Sequence, residues 1–484
     1  MEGNQWRRRP GDRVIRRRRI RRYRLRRVLG VPALFSAGYG NVGSSIYYAL
    51  GLVALVALGA TPIVLAIAGL LFIFTALTYA EGTAMIPEAG GSASFARHGF
   101  NDLVGFISGW ALMLSYIVTI SISAYAISPY LGYFWAPLKE SPIMGTAVSM
   151  GIILFLMLIN ILSAKESSVL NIGAALLDIA AQLSLIVLGF LLICGPNPVV
   201  LIQHMFEEGN WPAMENMVLG VAFAALAYTG IETVSQMAEE TRQPQVRVPR
   251  TLVSMIVTVM VMFLGISIVA LCAMPPQELA GEWARDPLAG IAAKLPSQTL
   301  QAIYMPLVAV LAATILLVAT NAGLLGISRL AFSLGMHRQM PSALNRVHHR
   351  FRTPYVSIII FCLIALLILV PGFFTSQFFV DLGALYTFGA LLSFAFAHAS
   401  IVSLRIKNPQ LPRPFKLGLN INIKGHDIPL TAILGLVATS GIWVVIIILQ
   451  PFSRLVGFSW MLLGLLAYYL YRRREHLSLT QKAS

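Results

Sequence analysis

Two carboxylates, Asp178 and Glu232, stand inside stretches that are otherwise apolar. At mid-bilayer a charged, unpaired carboxyl costs about 2.5–3.5 kcal/mol, so each must be protonated, paired or beside water. Asn171, Asp178 and Gln182 follow one another at intervals of seven and four, which puts them on one helical face. Glu232 closes the run Ala227-Tyr228-Thr229-Gly230-Ile231, where small and polar residues interrupt an apolar helix. The same interruption occurs in Gly38 to Tyr48, GYGNVGSSIYY. There each glycine costs about 1 kcal/mol of helix propensity, and Asn41, Ser44 and Ser45 offer the backbone competing hydrogen bonds. Both stretches are expected to be broken helices whose freed backbone groups hold a small solute or ion.

Other chemistries find no support in the sequence. No H-E-x-x-H motif or nucleophile-and-base set is present, so the chain does not read as an enzyme. Cys194, Cys272 and Cys362 are isolated, and His348-His349 sit among arginines, so neither a disulfide framework, a metal centre nor a cofactor is expected.

The elements that must position these groups are transmembrane helices. Of 484 residues, 57% are hydrophobic and 12% charged, a composition that requires lipid as solvent. Apolar runs of spanning length predict twelve helices, near 31–58, 62–86, 102–132, 143–162, 168–194, 214–238, 251–274, 301–332, 354–371, 378–403, 429–449 and 455–471. The expected fold is an all-α polytopic membrane protein. Its parts are an Arg-rich tail (1–30), a ten-helix core (31–404), a loop with two additional helices (405–471) and a second tail (472–484). The two interrupted helices open successive sets of five spans, which is the sequence pointer to an inverted repeat with a midplane binding site. Glu81, at the edge of the second span, reads as a snorkelling or paired structural acid rather than a site.

A formal charge of +16 suggests a nucleic-acid partner until its placement is considered. Thirteen arginines lie within the first 27 residues, and most other basic residues fall in loops on the same side of the alternating spans. That is the positive-inside pattern, and it predicts both termini in the cytoplasm, with the bilayer rather than nucleic acid as partner. The Arg-rich tail could also hold anionic lipid headgroups. The first span is long and lacks a short core with an A-x-A site, so it is expected to be retained rather than cleaved.

Three stretches, YAEGTAMIPEAGGSASF (79–95), AYTGIETVSQMAEETRQPQVRVPR (227–250) and SRLAFSLGMHRQMPSALNRVHHRFRTP (328–354), resemble the loop signatures of the amino acid–polyamine–organocation superfamily. Within it the chain is similar to bacterial amino acid permeases related to cationic amino acid transporters. The resemblance implies a LeuT-like fold of twelve helices, a 5+5 inverted repeat with helices 1 and 6 broken, plus two extra helices. It implies an amino acid substrate held by Gly40, Asn41, Val42, Gly43, Ser44 and Ser45 on one side and Ala227, Tyr228, Thr229 and Gly230 on the other, with Tyr228 as an aromatic gate or cation-facing ring. The family's usual G-[ST]-G appears here as Gly43-Ser44-Ser45. Where proton-coupled relatives carry a lysine in the fifth helix, aligning Lys165-Glu166-Ser167 and Asn171 places Asp178, so Asp178 or Glu232 is expected to bind the coupling proton instead. The function implied is proton-coupled amino acid uptake across the plasma membrane. Alternative readings are an amino acid/polyamine exchanger or organic-cation importer, and a non-transporting sensor or scaffold.

Overall fold

The computed structural model describes Arg27 and residues 29–162, 168–345, 348, 351, 353–375, 377–423 and 425–481. The tail 1–26, on which the anionic-lipid reading rests, and Lys165-Glu166-Ser167 lie outside the described residues.

Helices dominate because backbone N–H and C=O groups in hydrocarbon must be satisfied within their own segment. The chain forms α1 (Val31–Val42), α2 (Ile46–Ala57), α3 (Thr61–Met85), α4 (Ser92–Gly99), α5 (Asp102–Leu131), α6 (Pro137–Glu140), α7 (Pro142–Leu162), α8 (Ser168–Gly189) and α9 (Val199–Phe206). There follow α10 (Met214–Ala227), α11 (Glu232–Gln236), α12 (Pro244–Ala273), α13 (Pro276–Ala280), α14 (Pro287–Ala293), α15 (Gln298–Met336), α16 (Tyr355–Leu369) and α17 (Phe378–Lys407). A hairpin of β1 (Asn420–Ile423) and β2 (His426–Pro429) then leads into α18 (Leu430–Leu449) and α19 (Pro451–Arg474). Among the described residues, eleven helical segments are long and apolar enough to cross a membrane. The first of these, Val31–Met85, is 55 residues long, which is where the difference from the twelve expected spans arises. It turns sharply at Leu58, whose φ is 44°.

At the centre stands α5, buried along most of its length and packed on α15 and α17. Asn101 caps it by accepting from Val104 N–H at 3.0 Å, and Asp102 places negative charge in its first turn, where the helix dipole favours it. Trp110 on α5 stacks on Trp460 of α19 with centroids 4.5 Å apart, and each indole N–H donates to the other residue's carbonyl. Outward-facing Leu177, Leu191, Leu367 and Leu462 are exposed, as a lipid-facing surface requires.

Two tertiary links were differently legible. Glu81 is fully buried and accepts two hydrogen bonds from Arg405, at 2.6 and 2.7 Å, so the acid of the second span is paired across the bundle. The cysteines require a correction, because Cys194 and Cys272 form a disulfide with Cα atoms 5.3 Å apart. The ends of the fifth and seventh apolar segments meet in space, a proximity that a 78-residue separation does not announce.

Candidate functional site

The first glycine-rich stretch differs from the broken helix the sequence predicts. Gly43–Ser45 form one 3₁₀ turn between α1 and α2, and Gly43 (φ −64°, ψ −32°) and Ser45 (φ −64°, ψ −27°) keep right-handed dihedrals. The rod narrows without parting because Ser44 and Ser45 donate their hydroxyls to the Asn41 carbonyl, at 3.0 and 3.3 Å, satisfying the acceptor displaced by the tighter turn. Gly43 is needed here, since a Cβ would lie 2.5 Å from the Tyr39 ring.

In the second stretch α10 ends at Ala227, residues 228–231 form a turn, and α11 begins at Glu232. Gly230 takes φ +113°, and a Cβ there would lie 2.9 Å from Asn41 Cγ and 3.0 Å from Val42 Cγ2. Asn41 Nδ2 donates to Thr233 Oγ1 at 2.9 Å. The two stretches are therefore in contact, backbone to side chain, in the protein interior. Glu232 Oε2 accepts from Gly230 N–H at 2.9 Å, whereas its Oε1 and Asn41 Oδ1 have no partner among the described residues.

Asp178 sits beside the tightened turn. Its Oδ1 accepts from Tyr47 OH at 2.6 Å, and its Oδ2 from Tyr39 OH at 2.9 Å and Gln182 Nε2 at 2.8 Å. Tyr39 precedes Gly43–Ser45 and Tyr47 follows it, so one carboxylate on α8 clamps both sides of the turn. Tyr130 braces the clamp by donating to the Tyr47 carbonyl at 2.6 Å. Asn171, from the same helical face, lines a narrow cavity with Ala37, Thr233, Met237, Ala322 and Arg329.

Of the expected site residues, the structure brings Asn41, Val42, Gly230 and Glu232 together, with Thr233, which was not among those expected, and sets Gly43, Ser44 and Ser45 in the turn beside them. Thr229 donates to the Leu226 carbonyl at 2.7 Å. Ala227 and Gly40 are buried at the two helix ends. Tyr228 is placed otherwise than a gate. Its ring packs against Phe72 and Phe263, and its hydroxyl donates to the Leu65 carbonyl at 2.9 Å.

The sequence reading passed over a set of tyrosines. Tyr79, Tyr116 and Tyr386 are fully buried and lie within the electrostatic reach of Glu232, with Ser92 and Ser393 beside the Tyr79 hydroxyl, Thr233 beside that of Tyr116, and Thr119 and Thr229 beside that of Tyr386. Tyr39 and Tyr47, eight residues apart, share a helical face, a signal that was available. Nothing local marks the other three as neighbours, since they come from α3, α5 and α17. Among the described residues, no group of three or more His, Cys, Asp or Glu is placed to hold a metal ion.

A polytopic helical bundle with a buried polar centre is the build of a permease. The chain belongs to the amino acid permease family, whose description, "Amino acid permease", matches over residues 29–470. It is 27% identical over 474 residues to the branched-chain amino acid permease BcaP of Bacillus subtilis, covering 93% of this chain and 94% of that protein. It is 26% identical to the methylthioribose transporter of the same organism, over 94% of this chain and 95% of that one. The human large neutral amino acids transporter small subunit 2 is 26% identical over 369 residues, 75% of this chain and 66% of that protein. The chain is thus a multi-pass membrane transporter, not an enzyme.

Proposed function

We propose that this protein is a secondary transporter that moves an amino acid across the plasma membrane by alternating access, driven by protons. The observation that carries the reading is the contact of Gly230 with Asn41 and Val42, because it joins the two interrupted stretches at one buried point. The substrate-binding residues are Gly40 to Ser45 and Ala227 to Gly230. N–H groups at a helix start favour a carboxylate, and carbonyls at a helix end favour an ammonium, so the pair suits a zwitterion. The names of two relatives, a branched-chain and a large neutral amino acid transporter, favour an uncharged side chain.

The topology that goes with this function is twelve crossings, with ten in a 5+5 inverted repeat, helix 6 interrupted and helix 1 tightened at Gly43–Ser45. Val31–Met85 then counts twice, because about 20 residues cross a 30 Å hydrocarbon core and the chain turns at Leu58. Helix 1 would open at the Gly43–Ser45 turn when substrate displaces the serine hydroxyls from the Asn41 carbonyl. Both termini are cytoplasmic, on the Arg-rich side.

Asp178 or Glu232 carries the proton. A proton on Asp178 turns one oxygen into an O–H donor, so the bonds from Tyr39, Tyr47 and Gln182 must rearrange and weaken, and the clamp on the turn loosens. One proton moving down 100 mV supplies about 2.3 kcal/mol, or roughly 50-fold accumulation, so a single coupling carboxylate suffices. The resemblance to a methylthioribose transporter supports a second reading, a non-amino-acid organic solute. Uptake by proteoliposomes of labelled leucine, valine, serine, glutamate, arginine, putrescine and methylthioribose, with and without an inward proton gradient, tests these readings. Gradient-stimulated uptake of neutral amino acids is expected; uptake of none of the amino acids would overturn the proposal.

A further inference from the structure

Glu232 is buried, yet the structure leaves a line of polar groups between it and the Arg-rich surface that no packing role uses. Tyr79 comes first. Its ring meets Phe95 and Phe394 edge-on, at 5.6 and 5.8 Å, while its hydroxyl lies in reach of both Glu232 and the Ser92–Ser393 pair. Ser92 and Ser393 hold one another at 2.7 Å. Gln236 is one helical turn beyond Glu232 on α11; it is buried, and both its amide atoms lack partners. Gly91 packs between the two, since a Cβ there would lie 3.8 Å from the Tyr79 ring and 3.9 Å from Gln236 Cγ.

Three residues before Gly91 in the chain, titratable groups gather around Glu88. His98 Nε2 lies 3.1 Å from its carboxylate, Arg97 3.3 Å and His337 4.0 Å. Glu239 faces the same turn from below α11, accepting from Ala89 N–H at 3.2 Å. The Glu88 side chain is 28% exposed, so protons from solvent reach the cluster. Buried polar side chains normally have partners, because an unpaired one costs about 1–3 kcal/mol. A file of them linking a buried acid to a surface cluster of exchangeable protons has the composition of a relay in which hydroxyls and amides, with water between them, pass a proton along.

We infer that Tyr79, Gln236 and the Ser92–Ser393 pair form the route by which a proton passes between Glu232 and the Glu88–His98–His337 cluster at the Arg-rich face. No bond other than O–H and N–H changes: each hydroxyl accepts a proton on one side and gives one up on the other. The inference deepens the proposed function and rests on Glu232 being the carboxylate that loads.

Tyr79→Phe keeps the ring and deletes only the hydroxyl. In proteoliposomes carrying a pH-sensitive dye, substrate-driven proton flux in Tyr79→Phe is expected to fall by at least about tenfold, the lower side of what one positioned proton-transfer group contributes. Substrate counterflow at equal pH, which needs no net proton movement, is expected to stay within about twofold of the unaltered protein, with a larger solvent deuterium effect on the flux. Proton flux unchanged in Tyr79→Phe overturns the route, and so does loss of counterflow, which makes Tyr79 a substrate contact. Glu232→Gln separates the two levels. If that variant retains the full proton flux, the loading role of Glu232 fails and the route fails with it; if it loses the flux while Tyr79→Phe does not, the route alone fails.

Discussion

Tyr47 donates its hydroxyl to Asp178 at 2.6 Å from the far side of the very turn whose near side Tyr39 ties to the same carboxylate. A carboxylate in the fifth apolar segment thereby sets the shape of the first, two segments that are 131 residues apart at this bond. Asp178→Asn keeps the volume but substitutes an NH₂ for one acceptor oxygen. The expected result is uptake that no longer responds to an imposed pH gradient. Unchanged proton dependence would remove Asp178 from the coupling mechanism.

Tyr47→Phe tests the clamp apart from the proton. Deleting a donor to a buried charged group costs about 1.5–3 kcal/mol, enough to lower the melting temperature of the detergent-solubilised protein by several degrees. The substrate concentration for half-maximal uptake should rise with it, because the turn that carries Ser44 and Ser45 loses one anchor. A variant with unaltered melting and uptake would show the bond to be idle.

Glu81 and Arg405 form a bidentate pair with almost no exposure, joined by Leu417 N–H at 2.8 Å on Glu81 Oε2. Breaking a buried pair costs about 3–5 kcal/mol, an upper bound here because Arg413 Nε also lies 3.7 Å from Glu81 Oε1, whereas replacing both partners by apolar residues is far less harmful. Arg405→Met alone is expected to melt well below Glu81→Leu/Arg405→Met, read as loss of the monodisperse peak on heating in detergent. Equal melting of single and double variants would count against the pair.

Gly230 holds a backbone conformation that residues with a Cβ rarely adopt, and Asn41 occupies the space a methyl group would need. Gly230→Ala is expected to insert and purify normally but to lose uptake by about tenfold or more, as 1–3 kcal/mol of strain separates α11 from α1. Uptake at the unaltered rate would mean that the contact between the two stretches has no part in transport.

Glu88 gives a pH dependence of stability. Burial works against its charge, but the His98 hydrogen bond and the charges of His98, Arg97 and His337 outweigh it and hold the carboxyl down at about 2, against an ordinary 4.5. A depressed carboxyl stabilises the fold fully above its ordinary value and progressively less as pH falls towards its folded value. The melting temperature should therefore exceed that of Glu88→Gln at pH 7, and the gap should narrow below pH 4.5. A gap that is constant from pH 7 to pH 3 would contradict this charge balance.

The amino-acid order by itself determined the solvent of this protein and where its helices run, since both depend on local hydrophobicity and period. It also marked Gly38–Tyr48 and Ala227–Glu232 as unlike ordinary spans, because glycine and hydroxyl residues weaken a helix wherever it lies. What the tertiary structure decided is which groups satisfy one another. The serines that signalled a break instead bond back to Asn41 and keep the first helix intact, a balance of two local hydrogen bonds against propensity that composition does not settle. Tyr228, an aromatic at the interruption, goes to packing, while Tyr39 and Tyr47, unremarkable in apolar runs, reach the Asp178 carboxylate. Asp178 meets tyrosines 131 and 139 residues away, and Cys194 meets Cys272 across 78. Such pairings depend on how helices are set against each other, and sequence spacing carries that information only within a single helix.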